Sequence, residues 1–442
     1  MELKNLEVHN FRSFSDIKIR PTRLNIIVGR NNSGKTSLIE AISMVFNHTS
    51  EIRLFSQNPS LIINAERNEN ETRISAKTDH ESTSILLKKA SMDEVAIELR
   101  KFIWDKLKLF LSFELNSIKG TRKKTSNSKL ADALSDLTTS PEFEKAVNNF
   151  TGTEEFLALA EKVADKSISI NSGRDISIRT PKLVELFDSP VIEALSKLIF
   201  NYLETKDKTE FSSMERVILE DFRDFFHYNQ LTLNHWIRKT NPEDLSVAYG
   251  FNSKLFKRIS HSRTDDFNLN IRRQMTETES IRIEEFIKNN NLVSNILRFS
   301  FRSIVFKKGE TTYEIPMELM GDGFIALVDL VRNISNEIEA KIVAIEEPER
   351  DLHPGYIEEF ASYLVKLAKE SGTQFFITTH SDDFLKEVFR LAEGDGPVAN
   401  FIAKELSIVR LTKIRGNSIC SVRSFSEART ELEELELDLR GV

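Results

Sequence analysis

The stretch LNIIVGRNNSGKTSLIEAI, residues 24–42, constrains the fold more than any other part of the chain. LNIIVG is a short apolar run closed by a glycine, and Leu38, Ile39, Ile42, Val45 and Phe46 follow at helical spacing. Between them GRNNSGKT, residues 29–36, fits G-x-x-x-x-G-K-[ST] in full. The order predicts a buried strand over 24–29, a tight glycine turn and a helix over 35–47. Gly29 and Gly34 permit a backbone turn with inward-facing amides, and the helix N-terminus adds partial positive charge. That chemistry suits the β- and γ-phosphates of ATP. Lys35 would reach those phosphates, and the Thr36 hydroxyl would complete a Mg2+ shell. Asn31, Asn32, Ser33 and Ser37 complete the cofactor-binding set around the turn.

A P-loop of this kind needs a second strand that carries carboxylates. KIVAIEEPE, from residue 341, supplies one and ends at Glu346 and Glu347. The first would orient a metal-bound water or bind the ion, and the next would activate the attacking water. Many P-loop ATPases carry Asp-Glu at this place, so Glu346 is a longer substitute. ITTHS, residues 377–381, ends a further apolar strand at His380, where one branch of these ATPases has a histidine that contacts the γ-phosphate.

The remaining pattern places strands near 2–9, 16–20, 72–77 and 83–88, and a helix over about 92–106. From roughly 118 to 292 apolar residues recur at three and four, which predicts a mostly helical insertion. Strands return from about 295, followed by MGDGF (320–324), a helix near Phe324, the two apolar strands above and a hairpin around Gly416-Asn417. The division is 1–90 and 295–442 for the two lobes of one α/β head, and 91–294 for the insertion. A single cysteine, Cys420, excludes an internal disulfide framework and a multi-cysteine zinc site. No apolar run approaches the roughly 20 residues that cross a bilayer. The opening MELKNLEVHNFRSF has no apolar leader, so the expectation is a cytoplasmic protein without membrane attachment. The net charge of −7 argues against nucleic-acid binding through the whole surface, though not against a local basic patch.

NFRSF (10–14), GRNNSGKT, MGDGF, IEEPERDLHP (345–354) and TTHS occur in the order found in ABC-type ATPase heads of the RecF, SMC and overcoming-lysogenization-defect (OLD) group. The chain most resembles the OLD-like AAA ATPases, over about 1–90 and 295–442. The resemblance implies an α/β P-loop head with a mixed sheet, ATP and Mg2+ as ligands, and a catalytic set of Glu347, Lys35 and His380. It implies that Arg12 touches nucleotide and that Thr36 and Glu346 hold the metal. RDLHP resembles the D-loop, with Leu352, His353 and Pro354 at the subunit contact. MGDGF stands where the ABC signature lies, but Met320 replaces the usual serine and Asp322 separates Gly321 from Gly323. An acid there would repel a γ-phosphate unless it points away or interacts across a dimer. Gln57 is the candidate for the family's glutamine loop.

The implied assembly is a head-to-tail homodimer, or a higher homo-oligomer, around two ATP molecules. OLD nucleases continue into a Toprim domain, which the stretch after His380 is too short to hold, so any nuclease is expected on a separate chain. The implied role is the sensor or regulatory ATPase of an antiviral defence system, acting with a separate nuclease or toxin. Two other readings stay open. One is a RecF-like DNA-binding repair ATPase, with the basic stretches 119–129 and 254–274 on phosphates. The other is a non-hydrolysing scaffold held together by nucleotide.

Overall fold

The computed structural model describes residues 1–47, 62–63, 71–120, 132, 135–137, 140–171, 176–179, 189–206, 220, 255–259, 276–289, 292–293, 295–300, 302–335, 341–350 and 352–431. Two kinds of strand meet in one twelve-stranded sheet. Strands β3 (Leu24–Gly29) and β13 (Gln374–Thr378) are buried along their whole length, and β12 (Ile342–Glu346) is buried up to its last residue. With β14 (Leu406–Ile414) and β8 (Phe256–Ile259) they form a parallel block in the order β14-β3-β13-β12-β8. Unbroken apolar runs are what strands covered on both faces require.

The other half is antiparallel. β1 (Leu3–Phe11), β2 (Phe14–Ile19), β4 (Glu71–Thr78), β5 (Ser82–Lys89), β6 (Ile168–Asn171) and β7 (Ile176–Arg179) run β7-β6-β5-β4-β1-β2. β4 alternates buried and exposed residues, the pattern of a strand with one covered face. β15 (Asn417–Ser424) joins the halves, antiparallel to β14 and parallel to β2 at Ser418 and Phe14. A separate three-stranded antiparallel sheet holds β9 (Ile296–Phe299), β10 (Ser303–Lys308) and β11 (Thr311–Pro316).

The helices are α1 (Lys35–Asn47), α2 (Met92–Gly120), α3 (Pro141–Phe150), α4 (Glu154–Ala164), α5 (Ser189–Lys206) and α6 (Glu277–Asn289). They continue as α7 (Asp322–Ser335), α8 (Ile357–Ser371), α9 (Asp382–Arg390), α10 (Pro397–Glu405) and α11 (Phe425–Arg429). α1 packs in one core with β1, β2 and β4, whereas α6 to α9 share another core with alternate residues of β3, β12 and β13. α2 to α5 build a third core of their own around Phe143, Phe156 and Leu195.

The α/β head anticipated above is the fold observed. Helix α2 runs well past the predicted end at 106, because Leu107, Phe110 and Leu111 continue its buried stripe. After β12 the chain makes a 3-10 turn at Pro354–Tyr356, and α8 starts at Ile357. Among the described residues between 91 and 294, three short strands accompany the helices. β6 and β7 extend the sheet beyond β5, and β8 pairs with β12 at the opposite edge. Strands of four residues are too short for a period of two to stand out from the helical pattern around them.

Candidate nucleotide site

The glycine turn after β3 is held from two sides. Gly29 has φ +152°, and a Cβ there would lie 2.4 Å from the Leu411 carbonyl oxygen on β14. Gly34 has φ +103°, and its Cβ would meet the Phe14 ring at 2.9 Å. Phe14 is fully buried, and Ser13 is bonded to Ser418 through both its carbonyl and its hydroxyl. The NFRSF hairpin therefore presses against the turn, and only glycine fits beneath it. Asn32 also has positive φ, at 63°. Ser33 is buried, and its Oγ has no hydrogen-bond partner.

Lys35 is buried at the start of α1, and its ammonium donates to the carbonyls of Gly29 (3.0 Å) and Arg30 (3.1 Å). Burial pushes its pKa below the ordinary lysine value, against the opposing pull of the Glu347 and Glu349 carboxylates. Thr36 is exposed at the helix start, and Ser37 is buried behind it. Left-handed backbone at Gly34 and Asn32, a buried hydroxyl without a partner and a lysine spanning the turn form a cradle that fits a phosphate chain. Arg12 sits in the β1–β2 turn with φ +50°, its guanidinium 2.5 Å from the carboxylate of Glu40 on α1. Glu40 is almost completely buried, so Arg12 is tied to the helix that begins at the glycine turn.

The carboxylates lie at the end of β12, two strands from β3. Glu346 pairs with Arg258 of β8, its Oε1 2.6 Å from the guanidinium Nε. A metal held by Glu346 and Thr36 must share that carboxylate with an arginine, and sequence reasoning missed this. β8 is short and lies far from β12 in the chain, so only pairing in the sheet brings Arg258 there. Glu347 adopts φ +46°, and its carboxylate is 3.0 Å from His380 Nε2 at the end of β13. Glu349, also missed, accepts hydrogen bonds from the His380 amide (2.8 Å) and the Thr379 hydroxyl (2.7 Å). The described residues hold no group of three or more His, Cys, Asp or Glu side chains placed to bind a metal.

The Gly-Asp-Gly turn starts α7. The Gly321 carbonyl accepts from the amides of Phe324 (3.0 Å) and Ile325 (3.2 Å), so the helix begins at Asp322, slightly before the predicted start. Asp322 is exposed in the first turn, where an acid complements the helix dipole. The two glycines differ in purpose. A Cβ at Gly321 would meet nothing within 4 Å, whereas one at Gly323 would lie 2.9 Å from the His353 backbone nitrogen. His353, against Gly323, and Pro354 are exposed, while Leu352 is buried in the chain's own core. Gly323→Ala should therefore cost about 1–3 kcal/mol by overpacking against backbone, and Gly321→Ala about 1 kcal/mol or less. Urea unfolding of the two variants checks the difference; equal losses would contradict it.

Gln57, Asp351 and nearly all of the two basic stretches lie outside the described residues. No helix among the described residues is long and apolar enough to cross a membrane.

Residues 1–385 match the family model described as an AAA ATPase domain. The chain belongs to that family. Among curated proteins, this AAA ATPase is similar to the endonuclease GajA of Bacillus cereus, at 21% identity over 431 residues. That match covers 87% of the chain but 58% of GajA. A shorter match, 38% identical over 89 residues, links it to the DNA double-strand break repair Rad50 ATPase of Archaeoglobus fulgidus and covers 18% of this chain and 10% of that protein. Among solved structures, the SMC head domain from Thermotoga maritima aligns over 96% of this chain and 99% of its own, with TM-score 0.42 and 14% identity.

Proposed function

We propose that this AAA ATPase binds ATP with Mg2+ and hydrolyses it in a head-to-tail homodimer. The observation that carries the reading is the Glu347–His380 pair at 3.0 Å, at the ends of β12 and β13, of which β13 lies next to the P-loop strand. The cradle of Gly29 to Lys35 would hold the β- and γ-phosphates, with Arg12 at its side. Glu347 would take a proton from the attacking water, and His380 would orient that carboxylate and meet the γ-phosphate oxygens. Mg2+ held by Thr36 and Glu346 would neutralise phosphate charge. Gly321 and Asp322 are exposed, and Gly323 packs against His353, which with Pro354 is exposed, an arrangement that suits contact with nucleotide bound to a second copy. Asp322 is exposed and sits on a helix N-terminus, where its charge is balanced within its own chain.

The biological role we infer is regulation of a separate effector in antiviral defence. Similarity across most of the chain to a protein named an endonuclease supports a nuclease as that effector. The purified protein should release phosphate from ATP only with Mg2+, and a non-hydrolysable ATP analogue should double its mass from 50.8 kDa in light scattering. Mass that stays monomeric with the analogue, and no phosphate released, would overturn the proposal. Loss of phage protection on deleting this gene tests the role.

A further inference from the structure

We propose that Glu349 is a positioning residue for hydrolysis, one that locks the β12 and β13 loop ends together and so fixes Glu347 against His380. The inference rests on the ATPase reading above. The β12–β13 register stops at Glu346 and Thr378, and past it the β13 end keeps one backbone bond to β3, from the Thr379 amide to the Ile27 carbonyl (3.1 Å). Beyond that point the contacts are specific. The Glu347 amide donates to the Thr378 carbonyl (2.9 Å) and Thr378 Oγ1 (3.1 Å). Glu349 Oε1 then accepts from both Thr379 Oγ1 (2.7 Å) and the His380 amide (2.8 Å). Thr378 and Thr379 are buried, whereas Glu347, Glu349 and His380 are half-buried.

The clamp answers a backbone problem. Glu347 has φ +46°, which non-glycine residues rarely adopt and which persists only where surrounding contacts determine it. Contacts to the β13 loop fix Glu347 on one side through its own amide, and Glu349 fixes the chain two residues further on. One carboxylate oxygen thus serves the backbone of His380, whose ring meets Glu347 at 3.0 Å. Both donors converge on Oε1, while Oε2 is buried without a partner. The hydrogen bonds therefore need an acceptor oxygen at that place rather than a full charge.

Glu349→Ala should lower kcat about 10- to 100-fold, the usual cost of removing a residue that orients a functional group, with the Kd for ATP changed less than about threefold. Glu349→Gln keeps an acceptor oxygen and should restore kcat to within about threefold of wild type. If Glu349→Ala fails to fold, Thr379→Val removes one of the two donors and should show a smaller kcat loss with the same unchanged Kd. Wild-type kcat in Glu349→Ala, or in Thr379→Val where that variant stands in, overturns the proposal. So does a Glu349→Gln variant as impaired as Glu349→Ala, since that would make the charge the working feature. A wild-type protein that releases no phosphate overturns both this proposal and the ATPase reading. Wild-type turnover with unaffected variants overturns this proposal alone.

Discussion

Glu347→Gln should reduce kcat for ATP hydrolysis by about 10²- to 10⁴-fold, the range expected when a general base is removed. The Kd for ATP should stay within about threefold of wild type. The amide cannot take the proton from water, yet it keeps the size of the carboxylate and an oxygen to face His380 Nε2 at the observed 3.0 Å. Its backbone contacts to Thr378 involve only the residue 347 amide and survive the change. Binding and closure therefore proceed while hydrolysis stalls, and ATP-bound dimers should accumulate. Single-turnover phosphate release and light scattering with Mg2+ and ATP check both halves. Unchanged turnover would remove Glu347 from the chemistry and leave the left-handed backbone at this residue without a catalytic explanation.

Lys35→Met should weaken ATP binding by about 100-fold, the loss expected when a charge-assisted contact to phosphate is removed, equivalent to about 3 kcal/mol. Folding should respond differently. The ammonium is buried, and burial lowers its pKa in the folded chain below the ordinary value of 10.5. Between the folded-state value and 10.5 the unfolded chain holds more protons, so wild-type stability rises with pH across that window. Below the window the charged lysine penalises folding by a constant amount, offset in part by its bonds to the Gly29 and Arg30 carbonyls. Methionine carries no proton. The Tm difference between variant and wild type should accordingly move in favour of wild type as pH rises toward the ordinary lysine value of 10.5. Thermal unfolding across that range, paired with a binding titration at neutral pH, separates the two effects. A variant that kept its ATP affinity would place the phosphates elsewhere.

Much of the head was legible because its signals are local. LNIIVG followed by GRNNSGKT and an amphipathic run set both ends of β3 and α1, since burial on two faces and helical spacing are written in consecutive residues. The Gly416 turn was equally clear, because the left-handed backbone at Arg415 and Gly416 closes the hairpin between β14 and β15. β8 was not legible. FKRI is too brief to show a period, and its place beside β12 depends on pairing across 86 residues from Phe256 to Ile342. The residues that reach the site from such placements, Arg258 against Glu346 and Glu40 against Arg12, were hidden for the same reason.

The amino-acid sequence by itself determined the α/β P-loop ATPase head and which residue types are candidates to meet a phosphate, because glycine, lysine and carboxylate spacing is a one-dimensional property. Only the tertiary structure decided what each of them touches. It separated Gly323, pressed against the His353 backbone, from Gly321, which faces open space. It set an arginine on the expected metal carboxylate. It joined Glu347, Glu349 and His380 into one bonded unit at the ends of two parallel strands. Those relations arise from strand order and close packing, which bring distant residues within hydrogen-bond reach and leave no mark on the spacing of residues along the chain.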